Sequence, residues 1–186
     1  MDTDTDLVNQ KDIQLLQVAI FITVVSDLCL VIFNFYILGV VLFSMVQITY
    51  CVRYSTKNYK RTLRNFIIVF LSIVIIYIIV SLFVVINVLV PIAVFYCICL
   101  ISSVFKAITV SKYNVYRSPS KYLIMLGMLL FLLCDICVAL SGITLIFPLT
   151  NYLISIISEV ASSLIWFFYL PSQLLLSLSG GGKIKI

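Results

Sequence analysis

Histidine is absent from this 186-residue chain. Its absence excludes Ser-His-Asp and Cys-His catalytic arrangements and removes a common zinc ligand. Charge is scarce as well: only 10% of residues are Asp, Glu, Lys or Arg, and only seven of these are acids. No G-x-x-x-x-G-K-[ST] loop and no G-x-G-x-x-G turn occurs, so the familiar phosphate-cradling nucleotide sites are missing. The six cysteines are Cys29, Cys51, Cys97, Cys99, Cys134 and Cys137, all in or at the ends of apolar segments. Cys134 and Cys137 form a C-x-x-C pair, but no second pair accompanies them. They read as small buried apolar side chains, and neither a metal nor an organic cofactor is expected.

What the chain has in abundance is hydrocarbon. Its hydrophobic fraction is 63%, against roughly half for a soluble domain. A bilayer-spanning helix needs about 20 apolar residues, and Phe66 to Phe105 supplies two helices' length without a charge. The runs are continuous rather than alternating, which disfavours a membrane β-barrel. The expected fold is all-α: a polytopic transmembrane bundle of about six spans, eight at most. The spans are drawn at Ile13–Phe33, Phe35–Val52, Asn65–Leu82, Val84–Phe105, Tyr122–Ser141 and Ile154–Leu178, with tight turns near Asn34 and Val84. Residues 1–12 read as a polar, mobile N-terminal tail, 13–179 as one transmembrane domain, and 180–186 as a short basic tail. The first apolar segment lacks a basic leader and a cleavage site, so it is taken as a retained span. Ile143 to Leu153 is short and interrupted by Pro148, and is read as a re-entrant or extracytoplasmic element.

The twelve Lys and Arg are sorted. Five fall between Arg53 and Arg64, four between Lys106 and Lys121, two at Lys183 and Lys185, and one at Lys11. With six spans, the three main groups share one side, which the positive-inside rule makes cytoplasmic. The clusters are topological markers, and no nucleic-acid partner is expected. The predicted location is the cell membrane, with lipid as the principal partner.

Four of the seven acids are Asp2, Asp4, Asp6 and Asp12. The others, Asp27, Asp135 and Glu159, fall within or at the edge of spans. A carboxylate at a helix centre costs at least about 2.5 kcal/mol in a membrane. Asp27 and Asp135 also share a context: VVSDLCLV at 24–31 resembles LLCDICVA at 132–139. Each aspartate lies about 9 Å inside its span's end, counted at 1.5 Å per residue. A parallel internal repeat would set two carboxylates at matching depth. No mid-span Lys or Arg is available to pair with them. Two carboxyls close together in a low dielectric split their titration, which supplies one acid and one base. A structural alternative is that each aspartate, protonated, bonds a neighbouring helix.

The last span carries Ser155, Glu159, Ser162, Trp166, Tyr169, Gln173 and Ser177 at steps of three or four. Such a stripe is expected to face the bundle. Ser44, Gln47 and Cys51 repeat the pattern, with Tyr50 alongside. Either stripe lines a polar interior or glues helices together by hydrogen bonds. The GxGD sequence of presenilin-like aspartyl proteases is absent around both aspartates.

The runs GMLLFLLCDICVAL (127–140) and WFFYLPSQLLLSLS (166–179) resemble segments of the YhhN-like lysoplasmalogenase family. The run VVSDLCLVIFNFYILGVVLFSMVQITYCVRY (24–54) is similar to that family's first aspartate segment. The resemblance implies hydrolysis of the vinyl ether bond of a lysophospholipid, giving a fatty aldehyde and a glycerophospho-alcohol. It makes Asp27 and Asp135 the catalytic pair. Gln47, Tyr50, Glu159, Tyr169 and Gln173 are the expected substrate-binding residues. Gln47 stands where many members have histidine, and the helix that precedes the first aspartate segment in longer members is not seen. Two other readings stay open: a proton-coupled transporter, which intramembrane acids and a repeat also suit, and a lipid-sensing protein without catalysis.

Overall fold

The computed structural model describes residues 3–55, 58–142, 152–181 and 183. Six helices follow in order. Helix α1 spans Thr3–Asp27 and runs on into a π-helical turn, Leu28–Ile32. Then come α2 (Tyr36–Arg53), α3 (Tyr59–Ser81), α4 (Leu89–Lys112), α5 (Ser120–Ser141) and α6 (Tyr152–Leu178). All six are long and apolar enough to cross a membrane. No strand occurs among the described residues, only an isolated bridge between Tyr116 and Lys183. Most of the segment 143–153, expected as a re-entrant element, lies outside the described residues.

Turn residues set the reversals. Asn34 adopts a left-handed φ of 55°, which its short polar side chain tolerates better than most, and reverses the chain between α1 and α2. The Asn87 side chain accepts a bond from Leu89 N–H at 2.9 Å, satisfying a donor at the start of α4. Pro91 follows in the first turn of α4, where a missing N–H costs little.

Helices α1, α2, α4, α5 and α6 pack in that order into a closed ring, α6 returning to α1. Helix α3 packs outside it, against α2 and α4, with only Phe66 buried. The ring encloses a core that includes Ala19, Phe43, Val46, Leu100, Met128, Phe131 and Leu176. Close approach of α5 and α6 depends on Gly127. A Cβ there would meet Leu176 Cγ at 2.9 Å and the Leu176 backbone N at 3.3 Å. Ser26 Oγ donates to the Gly39 carbonyl at 2.6 Å, tying α1 to α2.

From Thr3 onward, the stretch expected as a mobile tail is instead part of α1, which buries Asp12. The reason is electrostatic. Arg53, at the end of α2, is completely buried and its guanidinium grips Asp12 with two bonds, Nε to Oδ1 at 3.1 Å and one terminal nitrogen to Oδ2 at 3.0 Å. The Tyr116 hydroxyl donates to Asp12 Oδ1, and Arg53 also donates to Ser179 Oγ at 3.0 Å. Lys183 Nζ donates to the Arg53 carbonyl. Burial lowers the Lys183 ammonium below the usual lysine range, and Asp12 works against that fall. One buried network therefore joins α1, the end of α2, the α4–α5 loop and the segment after α6.

Candidate functional site: a carboxylate-lined cavity between the spans

Asp27 is the last residue of α1 before the helix widens into its π-turn, and Asp135 lies near the end of α5. Widened turns of this kind recur at functional sites. Both aspartates line one cavity of about 200 Å³. The walls are apolar and aromatic: Phe43, Phe131, Trp166, Leu30 and Val138 are among the lining residues.

Each carboxylate has one tyrosine partner from a neighbouring helix. Tyr96 of α4 donates to Asp135 Oδ2 at 2.6 Å. Tyr169 of α6 donates to Asp27 Oδ2. The other oxygen of each carboxylate has no hydrogen-bond partner among the described residues. The arrangement is therefore doubled: two acids on one cavity, each with one oxygen held by a tyrosine. Rings link the two halves. Tyr96 meets Phe43 at 6.2 Å between centroids, Phe43 meets Phe131 at 6.1 Å, and Phe131 meets Tyr169 at 6.1 Å. Val31 and Trp166, 62% and 54% exposed, line the cavity and also face outward. The cavity thus opens sideways, toward lipid.

The other expected binding residues are placed elsewhere. Of the five, only Tyr169 lines this cavity. Gln47 and Tyr50 follow Phe43 along α2 toward the basic end, by about 6 and 10 Å at helical rise. Gln47 Oε1 accepts from Ser103 Oγ at 2.6 Å, which joins α2 to α4. Gln47 Nε2, the Tyr50 hydroxyl and Gln173 Nε2 are buried without a hydrogen-bond partner among the described residues. Glu159 is exposed and lines a shallow recess with Ser141, Ser158 and Ser162, about 10 Å along α6 from Trp166. The stripe on α6 does not face the bundle as a unit: Glu159, Ser162, Trp166 and Ser177 are exposed, while Ala161, Ser172 and Leu176 are buried. Lipid-facing serines are cheaper than the pattern implied, because a serine hydroxyl can bond back to its own helix, as Ser163 does to the Glu159 carbonyl and Ser177 to that of Leu174.

Tyr96 was not singled out from sequence. A tyrosine within an apolar helix resembles any core aromatic, and only its contact with Asp135 distinguishes it. Phe43 and Phe131 carry no sequence signal at all beyond apolarity. No group of three or more His, Cys, Asp or Glu that could hold a metal occurs among the described residues.

Fold and site together define a polytopic helical membrane protein with a paired-carboxylate cavity between its spans. Comparison with known proteins narrows that class. The chain belongs to the YhhN family, whose sequence profile matches residues 8–180, nearly its whole length. No curated protein and no solved structure matches it.

Proposed function

We propose that this chain is a membrane-embedded hydrolase that cleaves the vinyl ether bond of lysoplasmalogens, with Asp27 and Asp135 as its acid–base pair. The observation that carries the reading is the doubled Asp–Tyr arrangement on one apolar, laterally open cavity. Hydrolysis begins when one aspartic acid, protonated, donates to the β-carbon of the vinyl ether and leaves an oxocarbenium ion. The second aspartate, ionised, stabilises that cation and orients water, which adds to the cationic carbon and gives its proton to that aspartate. The hemiacetal then collapses to aldehyde and alcohol. Glycosidases handle a similar cation with two carboxylates, and the aromatic walls add cation–π stabilisation.

The tyrosines fit this division. A hydroxyl donated to one carboxylate oxygen fixes the rotamer and leaves the other oxygen for substrate or water. A cavity of about 200 Å³ is smaller than the ~300–1,000 Å³ of pockets that enclose whole ligands. It suits the reacting segment alone, with the alkenyl chain leaving between Val31 and Trp166 into the bilayer. The basic loops set the orientation, with their end of the bundle cytoplasmic and the cavity nearer the opposite leaflet.

The test is release of fatty aldehyde from lysoplasmenylethanolamine by the purified protein in detergent. Asp27→Asn and Asp135→Asn are each expected to abolish release while leaving thermal unfolding intact. Full activity in either variant removes that residue from the mechanism. Proton-dependent solute flux in proteoliposomes without lipid turnover would favour a transporter instead.

A further inference from the structure

At the basic end, on the opposite side of the bundle from the carboxylates, a larger cavity of about 630 Å³ opens between the end of α2, the start of α3 and the end of α4. Its lining includes the polar or cationic side chains Asn58, Arg61, Asn65, Lys106, Thr109 and Tyr113, and no acid among the described residues. Lys106 is half-buried and locked in place. Its Nζ donates to the Cys51 carbonyl at 3.1 Å, to Ser55 Oγ at 2.7 Å and to Thr62 Oγ1 at 2.8 Å. These three neutral acceptors use all three N–H donors of the ammonium and hold its charge at the cavity wall without cancelling it. Arg61, in the first turn of α3, is exposed and has neither a hydrogen-bond partner nor an acid within reach among the described residues. Asp12, whose side chain is the one described acid at this end, is taken by Arg53.

Among the described residues, two cations thus share one recess without a counter-ion. The first N–H groups of α3 add partial positive charge at its mouth, because no side chain caps that helix. A half-buried ammonium that is fully hydrogen-bonded but not neutralised favours an anion beside it, and a free guanidinium matches phosphate oxygens bidentately. Phe105 in the last turns of α4 and Tyr113 just past its end, 70% and 69% exposed, turn outward, so the recess stands at the level where a bilayer presents its headgroups.

We propose that this recess is a phosphate-binding site, filled by the headgroup of an anionic phospholipid or by a soluble phosphate compound. It is separate from the substrate cavity. Lys106 lies ten residues beyond Tyr96 on α4, about 15 Å at helical rise, whereas only the glycerol carbons separate a lysolipid's phosphate from its vinyl ether. The proposal does not depend on the hydrolase reading. Its structural consequence is that a bound phosphate joins α3, which has little buried surface of its own, to α4.

The experiment measures lipid adducts by native mass spectrometry and thermal unfolding in detergent, with phosphatidylglycerol, phosphatidylcholine or inorganic phosphate added separately. Phosphatidylglycerol is expected to be retained and to raise the unfolding temperature, and phosphatidylcholine is not. Stabilisation by inorganic phosphate alone, without lipid preference, would also support the site and assign it to a soluble ligand. Arg61→Gln is expected to weaken phosphatidylglycerol retention on the order of tenfold. Lys112→Gln and Arg117→Gln, which remove cations from the same end but outside the recess, are expected to change it little. Equal retention of the two lipids with no response to phosphate would overturn the proposal. So would equal losses in Arg61→Gln and the two control variants, because the effect would then be a diffuse surface field. Arg61 is exposed, so its variant tests the site without disturbing the fold.

Discussion

Breaking the Asp12–Arg53 pair is expected to destabilise the protein strongly and asymmetrically. Both side chains are fully inaccessible. Removing one member of such a pair strands the other charge, at a cost of about 3–5 kcal/mol. The surroundings decide which loss is worse. Lys183 lies close enough to interact with both, attracted by Asp12 and repelled by Arg53. In Arg53→Met, Asp12 keeps the Tyr116 hydroxyl and has Lys183 nearby, so the cost falls at the low end. In Asp12→Asn, the Arg53 cation keeps Ser179 but faces Lys183 without a carboxylate between them, so the cost falls at the high end. At roughly 2–4 °C per kcal/mol for a chain of this size, the unfolding temperature drops by roughly 6–20 °C. The assay is thermal unfolding in detergent, read by exposure of buried thiols such as Cys51 and Cys99 to a maleimide dye. The double variant Asp12→Leu/Arg53→Met, which strands no charge, is expected to recover much of the loss. Aldehyde release per folded molecule should be unchanged in all three, because Asp27 lies about 22 Å along α1 from Asp12. Shifts below about 2 °C in both single variants, or a greater cost for Arg53→Met than for Asp12→Asn, would refute the reasoning.

Further outcomes follow from the same geometry. Tyr96→Phe and Tyr169→Phe each remove one hydrogen bond to a carboxylate, worth about 1.5–3 kcal/mol, so aldehyde release should fall roughly ten- to a hundredfold with the helices intact; unaltered rates would assign the tyrosines to packing. Gly127→Val drives two methyls into Leu176 and its backbone, and should cost about 1–3 kcal/mol of stability in the same unfolding assay. Burial raises the Tyr54 and Tyr116 hydroxyls above their ordinary value of 10.0. Their stabilising contribution is complete below that value and begins to be lost as pH climbs past it, because the unfolded chain then releases protons the folded chain retains. Unfolding temperature should therefore fall above pH 10, and less steeply in Tyr54→Phe/Tyr116→Phe; an identical slope would count against burial as the cause.

Asp27 and Asp135 were legible because a carboxylate among leucines and valines stands out, and their shared S/C-D-x-C setting placed them at one depth. Gln47, Tyr50, Glu159 and Gln173 were singled out just as readily, yet they lie outside the cavity. Polarity within an apolar helix is visible in a sequence; the helix it meets is not. Asp12 shows the converse. Its neighbours in the chain are polar, so it read as part of a tail, and only Arg53, 41 residues away, draws it inside.

By itself, the sequence determined the solvent and the element type. Hydrocarbon in runs of bilayer length, without histidine and with cations gathered at alternate loops, leaves a helical bundle in lipid as the one arrangement that satisfies every backbone donor and acceptor. Tertiary structure decided which tyrosine holds which aspartate, that α3 stands outside the ring, and that the charges at the basic end divide into a neutralised buried network and an open recess. Those facts depend on contacts between residues tens to more than a hundred positions apart. Lipid accepts any apolar face equally, so the periodicity of a span says little about which neighbour it will pack against.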